Sequence, residues 1–166
     1  MKVRIAGMVQ DSIVDGPGLR MTIFMQGCPH KCCGCHNPHT HDLDGGYVVD
    51  ADDIIDQINC NPLLDGITFS GGEPLEQGEA IVYIVSKIEV ERLTVWCYTG
   101  WMWEEIMQDA WKKWVVGWVD VLVDGRFMID KRTLELKWRG SENQRIINVQ
   151  GSLSGGKVVL WDERDS

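Results

Sequence analysis

Apolar and polar positions along this chain fall into two kinds of block, short runs with β character and longer runs with helical spacing. Val3 to Val9 reads as a short strand, followed by turn chemistry at Asp15-Gly16-Pro17-Gly18. Met21 to Gln26 is apolar on both faces apart from Thr22 and Gln26, the pattern of a strand covered on both sides. From Gly27 to Gly46 the periodicity vanishes, and Gly, Pro, Asn and His mark a long loop. Asp50 then stands as the N-cap of a helix in which Ile54, Ile55 and Ile58 share a face.

The alternation continues downstream. Gly66 to Ser70 predicts a buried strand ending in Gly71-Gly72, and Ala80 to Ile88 a mostly apolar helix. Leu93 to Cys97 predicts a strand ending at Tyr98-Thr99-Gly100, followed by a Trp-rich helix over Trp103 to Trp114. Val119 to Val123 predicts a strand ending at Asp124-Gly125, and Arg145 to Val149 a last strand of the main sheet. Strands alternating with helices imply an α/β fold with a mostly parallel sheet and right-handed crossovers. Polar or Gly-containing segments follow the strands, at the ends where parallel α/β folds place their chemistry. The chain has 166 residues, enough for a single domain spanning 1–166. A complete eightfold β/α barrel takes about 250, so a barrel here is partial.

Charge narrows the class. Lys and Arg number 16 against 25 Asp and Glu, a net charge of −9, which argues against a nucleic-acid or anionic-membrane binder. No apolar run approaches the roughly 18 residues of a bilayer span, and the first ten residues carry no secretory h-region. A cytoplasmic protein is expected. The cysteines agree, because four of the six (Cys28, Cys32, Cys33 and Cys35) crowd into eight positions instead of spreading as a disulfide framework. Cys60 and Cys97 are isolated and are expected to pack in the core.

Two constellations carry chemistry. Cys28, Cys32 and Cys35 can surround a cuboidal iron–sulfur cluster if the backbone wraps around it, which Gly27, Pro29 and Gly34 permit. Three ligands for four irons leave one iron open. Zinc is the rival, through the Cys32/Cys35 pair, Cys28 and one of His30, His36, His39 and His41. Otherwise the histidines are solvent-exposed loop residues. The second constellation is Ser70-Gly71-Gly72-Glu73-Pro74, where paired glycines let backbone approach a ligand closely; its bland counterpart is an ordinary strand-to-helix turn.

The cysteine triad followed by Gly-Gly-Glu-Pro resembles the radical S-adenosylmethionine (SAM) superfamily. Asp15 to Arg20 and Cys35-His36-Asn37-Pro38 resemble the glycyl-radical-enzyme activases within it. Tyr98-Thr99-Gly100, Val119 to Phe127 and Trp138 to Arg145 resemble those that serve anaerobic ribonucleotide reductases. The resemblance covers roughly residues 10–150; Cys33 inside the triad, His36 and Cys97 depart from it, and the tail after about Gln150 matches nothing in it.

The resemblance implies a radical SAM-type partial barrel, with the cluster loop at about 27–46. It implies a [4Fe–4S] cluster on Cys28, Cys32 and Cys35, with SAM on the fourth iron, stacked over Gly34, Cys35 and His36. Gly71, Gly72 and Glu73 would bind the methionyl end of SAM. Thr99 and Asp124 are candidates for its ribose or carboxylate side, or else cap strand ends. Arg139 and Asn143 would serve the site or the partner interface. The implied reaction is one-electron cleavage of SAM, fed by an external donor such as flavodoxin. Hydrogen abstraction from a glycine in the glycyl-radical subunit of the reductase follows. The alternatives are a pyruvate formate-lyase-activating type, a 7-carboxy-7-deazaguanine synthase-like enzyme, or a non-catalytic zinc-binding interaction module.

Overall fold

The computed structural model describes residues 1–88 and 93–163. Among these residues seven strands form one sheet: β1 (Lys2–Ser12), β2 (Arg20–Met25), β3 (Tyr47–Asp50), β4 (Gly66–Gly71), β5 (Thr94–Tyr98), β6 (Val121–Asp124) and β7 (Arg145–Asn148). Their order is β3-β1-β2-β4-β5-β6-β7. The central four, β2, β4, β5 and β6, pair in parallel. β1 is antiparallel to β2 and to β3, so β3 points the same way as the central four; β7 is antiparallel to β6. The fold is therefore mixed α/β on a single, mostly parallel sheet.

Side-chain alternation divides the two faces of the sheet. Met21, Ile23 and Met25 of β2, Ile67 and Phe69 of β4, and Val95 and Cys97 of β5 enter the main core. That core is completed by α1 (Ala51–Asn59), α2 (Gly78–Ser86), α3 (Trp103–Gln108) and α4 (Ala110–Val116). α1 begins where the sequence places it: the Asp50 carboxylate accepts from Asp52 N at 3.3 Å, and Ile54 and Ile58 are fully buried. Each such isoleucine contributes on the order of 1.5–3 kcal/mol by leaving water.

The alternate strand residues point to the other face. There Trp96, Val121 and Val123 form a second cluster with Tyr98, Ile146, Trp138 and Trp161. The fully buried Arg20 also lies over Trp96, with its guanidinium carbon 5.5 Å from the ring centre. Its three nitrogens donate to the Thr68 and Thr94 hydroxyls and to the carbonyls of Pro17, Ile67 and Thr94. Burial lowers the guanidinium to about 10, still charged at neutral pH. The Gly16-Pro17-Gly18 turn is thereby fastened to β4 and β5.

Three segments differ from their expected form. The Trp-rich helix breaks at Asp109, whose extended backbone and side chain, accepting from Trp111 N and Lys112 N at 3.0 Å each, cap a new helix. Tyr47–Asp50, at the end of the expected loop, is an edge strand on β1. After β7 a further helix, α5 (Val149–Gly155), is capped by Asn148 and ends at Gly156 with φ +65°. The chain then returns to β7, where Trp161 N donates to Ile146 O. Among the described residues no helix is long and apolar enough to cross a membrane.

Candidate functional site

The central strands end at one cavity of about 530 Å³, lined by the segments after β2, β4, β5 and β6. The segment after β2 is the cysteine loop. Gln26, at its root, pins it by donating to the carbonyls of His39 and Asp42, and Gly27 N donates to Thr40 O. The backbone then turns through left-handed conformations at Gly27, Lys31 and Gly34, with φ of +94°, +49° and +70°. This path brings Cys28, Cys32 and Cys35 to the cavity wall. Cys33 is exposed and is not part of the wall.

Burial pushes the Cys28 and Cys32 thiols up; backbone N–H groups of His30 and Lys31 pull Cys28 part of the way back. Among the described residues no three His, Cys, Asp or Glu side chains converge closely enough to hold a single metal ion. A cuboidal cluster spreads its thiolates over separate irons, so it asks for soft donors arranged around an opening. The cysteine triad fits that demand.

The Gly-Gly-Glu-Pro turn follows β4. Gly72 N donates to Met25 O and Glu73 N to Gly27 O, both at 2.8 Å, so the turn is tied to the start of the cysteine loop. A Cβ on Gly72 would lie 2.3 Å from Gly27 O, while Gly71, at φ +90°, abuts the β2 backbone. The glycines thus permit close approach of backbone to backbone, and both also line the cavity. Glu73 does not line it. Its fully buried carboxylate accepts from Thr99 Oγ1 (2.9 Å), Gly100 N (2.8 Å) and Leu75 N (3.1 Å), and contacts His30 Nε2 at 2.7 Å. One carboxylate therefore joins the ends of β4 and β5 to the cysteine loop.

The role of His30 is what sequence reasoning missed. Its side chain is 3% exposed, packed on Gly100 and edge-on to Trp101, not the exposed loop residue expected. The available signal was its place between two of the clustered cysteines. Cys60 also departs from expectation: it is exposed, whereas Cys97 is buried.

The remaining candidates separate. Thr99 lines the cavity, but its hydroxyl is engaged with Glu73 and Trp101 N. Asp124 is fully buried and stands outside the lining. It accepts from Trp103 N at the start of α3 and from Nε and Nη2 of Arg145. Arg139 lines the cavity and Asn143 does not; the Asn143 amide donates to Arg126 O. Gly34 is exposed, and a Cβ there would strike the Ile129 side chain. His36 lines the cavity with its ring 4.7 Å from that of Phe127, and a Cβ on Gly140 would sit 3.3 Å from it. Segments far apart in sequence (Cys35–Asn37, Gly125–Phe127 and Trp138–Gly140) thus meet at one wall.

Residues 14–147 match the model of a family described as a 4Fe-4S single cluster domain. The chain is 38% identical over 146 residues to the anaerobic ribonucleoside-triphosphate reductase-activating protein of Escherichia coli strain K12, covering 83% of this chain and 94% of the relative. The chain belongs to the family of anaerobic ribonucleoside-triphosphate reductase-activating proteins. It is therefore an activating enzyme with a single-cluster 4Fe-4S domain. The relative of the same name from Enterobacteria phage T4 is 34% identical over 139 residues, covering 80% of this chain and 86% of its own. Among solved structures, QueE from Escherichia coli is similar over 60% of this chain and 53% of its own, with 18% identity and a TM-score of 0.49.

Proposed function

We propose that this activase uses SAM and a [4Fe–4S] cluster on Cys28, Cys32 and Cys35 to generate a glycyl radical on the large subunit of an anaerobic ribonucleotide reductase. The observation that carries this reading is the meeting of the three thiols, Gly71, Gly72 and the strand-end segments at one cavity in a member of this family. When bound, the cluster would supply the electron that cleaves SAM, enabling hydrogen abstraction from a partner glycine.

This chain's own residues bind, orient and exclude water. Backbone of Gly71 and Gly72 faces the methionyl end of SAM, and Gly34, Cys35 and His36 face its adenosyl end. Glu73 and Thr99 act by fixing the walls through His30 and Gly100, and Asp124 by fixing the start of α3. Phe127, Leu134, Leu136 and Trp138 supply apolar cover over the cavity.

The helices on one face of the sheet, with Arg20, Thr22, Phe24 and Tyr98 on the other, suit a partial barrel open on one side to a glycine-bearing loop. Residues 1–166 would act as one domain in the cytoplasm, where the six free cysteines remain reduced. An external one-electron donor such as flavodoxin would reduce the cluster, with no nucleic acid or membrane in the reaction.

The test is anaerobic incubation of the cluster-loaded protein with SAM, reductant and its reductase subunit. A glycyl-type EPR doublet should grow in step with 5′-deoxyadenosine, and deuterium at the glycine Cα should appear in that product. Cleavage of SAM without a radical on the subunit would remove the reductase assignment and favour a small-molecule substrate.

A further inference from the structure

The cavity carries one side chain with permanent positive charge, Arg139. Its position is built by the loop around it. Gln144 accepts from Gly140 N (2.8 Å) and Ser141 N (3.2 Å) through Oε1, and donates to Gly125 O through Nε2 (2.9 Å). Arg139 Nη1 donates to the carbonyl of the same Gln144 at 2.8 Å. The Trp-Arg-Gly segment is thus clamped to the end of β6 with the guanidinium held beside the cavity.

That guanidinium is under-used. Arg139 Nε is buried and has no partner, and among the described residues no ion pair engages the side chain. Asp15, the carboxylate in the lining, accepts instead from Ser12 and Thr22. A second buried polar atom without a partner, His41 Nε2, lines the same cavity. A buried cationic N–H left unmade is costly, and a planar guanidinium is matched by a carboxylate, which can accept two parallel hydrogen bonds. Thr99 and Asp124, the other candidates for this duty, are occupied by protein partners or lie outside the lining.

We infer that Arg139 is the carboxylate-binding group of the cavity, an assignment that rests on the SAM-dependent reading above. The carboxylate comes from the methionyl end of SAM or from an acidic side chain of the reductase subunit. Binding of SAM, of decarboxylated SAM and of the reductase subunit to cluster-loaded wild type, Arg139→Gln and Arg139→Lys tells these apart.

With SAM as the source, Arg139→Gln binds SAM about tenfold more weakly and decarboxylated SAM unchanged. Arg139→Lys recovers part of the loss, and iron content holds throughout. With the partner as the source, SAM affinity stays and affinity for the subunit falls by a similar factor. Equal losses for SAM and its decarboxylated form, or no change in any of the three, overturn the inference. Should Arg139→Gln fail to hold its cluster, the same comparisons on Arg139→Lys decide. A wild type that binds neither SAM nor its analogue defeats the underlying reading instead.

Discussion

His30 Nε2 lies 2.7 Å from Glu73 Oε2, and through this contact the cysteine loop is locked to the Gly-Gly-Glu-Pro turn. Both side chains are out of water, at 3% and 0% exposure. The carboxylate has further donors from Thr99, Gly100 and Leu75, so its role is to join three strand-end segments. Glu73→Ala leaves those donors unmade and should lower unfolding stability by about 3 kcal/mol. His30→Ala removes one contact of four and should cost about 1–2 kcal/mol. Anaerobic denaturant titrations read both values. Wild-type stability for Glu73→Ala would mean that the network holds nothing together.

The three cysteines of the cavity wall should behave differently from the rest. Single Ser replacements of Cys28, Cys32 or Cys35 should abolish the visible absorbance and low-temperature EPR signal of the reconstituted cluster. Cys33→Ser should keep both, because Cys33 is exposed and lies off the wall, and so should Cys60→Ser. Loss of the cluster in Cys33→Ser with retention in Cys28→Ser would overturn the assignment.

Much of this arrangement was legible in the sequence because it rests on local patterns. The short, mostly apolar runs Met21–Gln26 and Gly66–Ser70 mark the central strands, and Asp50 followed by the spaced isoleucines marks α1. The spacing of Cys28, Cys32 and Cys35 marks the wall. What escaped depends on side chains finding remote partners. Asp109 looks like one more polar residue on a helix until its carboxylate turns back on Trp111 and Lys112. Arg20 looks like a charged residue at a strand edge, yet it is wholly buried on carbonyls and hydroxyls from four other residues. The tail after Gln150 has weak periodicity, but its packing is fixed by Trp161 against Trp96 and Trp138.

The glycine turn makes a prediction that differs from a purely ligand-facing role. If Gly72 met only SAM, Gly72→Val would weaken SAM binding and leave iron content near normal. In the structure the added side chain meets Gly27 O at 2.3 Å, and Gly27 directly precedes Cys28. Backbone has to move, so Gly72→Val should lose iron and SAM binding together. Iron and sulfide analysis alongside equilibrium binding of SAM checks this. Full iron content with weak SAM binding would restore the ligand-only role.

Asp124 offers the sharpest separation between a structural and a ligand-binding reading. Its carboxylate takes Nε and Nη2 of Arg145 and the Trp103 N–H, and Arg145 reaches on to Glu104 at 3.1 and 2.8 Å. The Asp124 and Glu104 carboxylates hold the Arg145 guanidinium above its ordinary range, so it keeps its charge at any pH the protein meets. Asp124→Asn keeps the shape but removes the charge and turns one acceptor into a donor facing Arg145 or Trp103. The cost should be about 3 kcal/mol of unfolding stability, since breaking a buried pair strands its partner. SAM affinity of the folded, cluster-loaded variant should stay within twofold of wild type, because the carboxylate stands outside the cavity lining. Denaturant titration gives the first quantity and equilibrium binding the second. A large loss of SAM affinity at unchanged stability would return Asp124 to the ribose or carboxylate side of the cofactor.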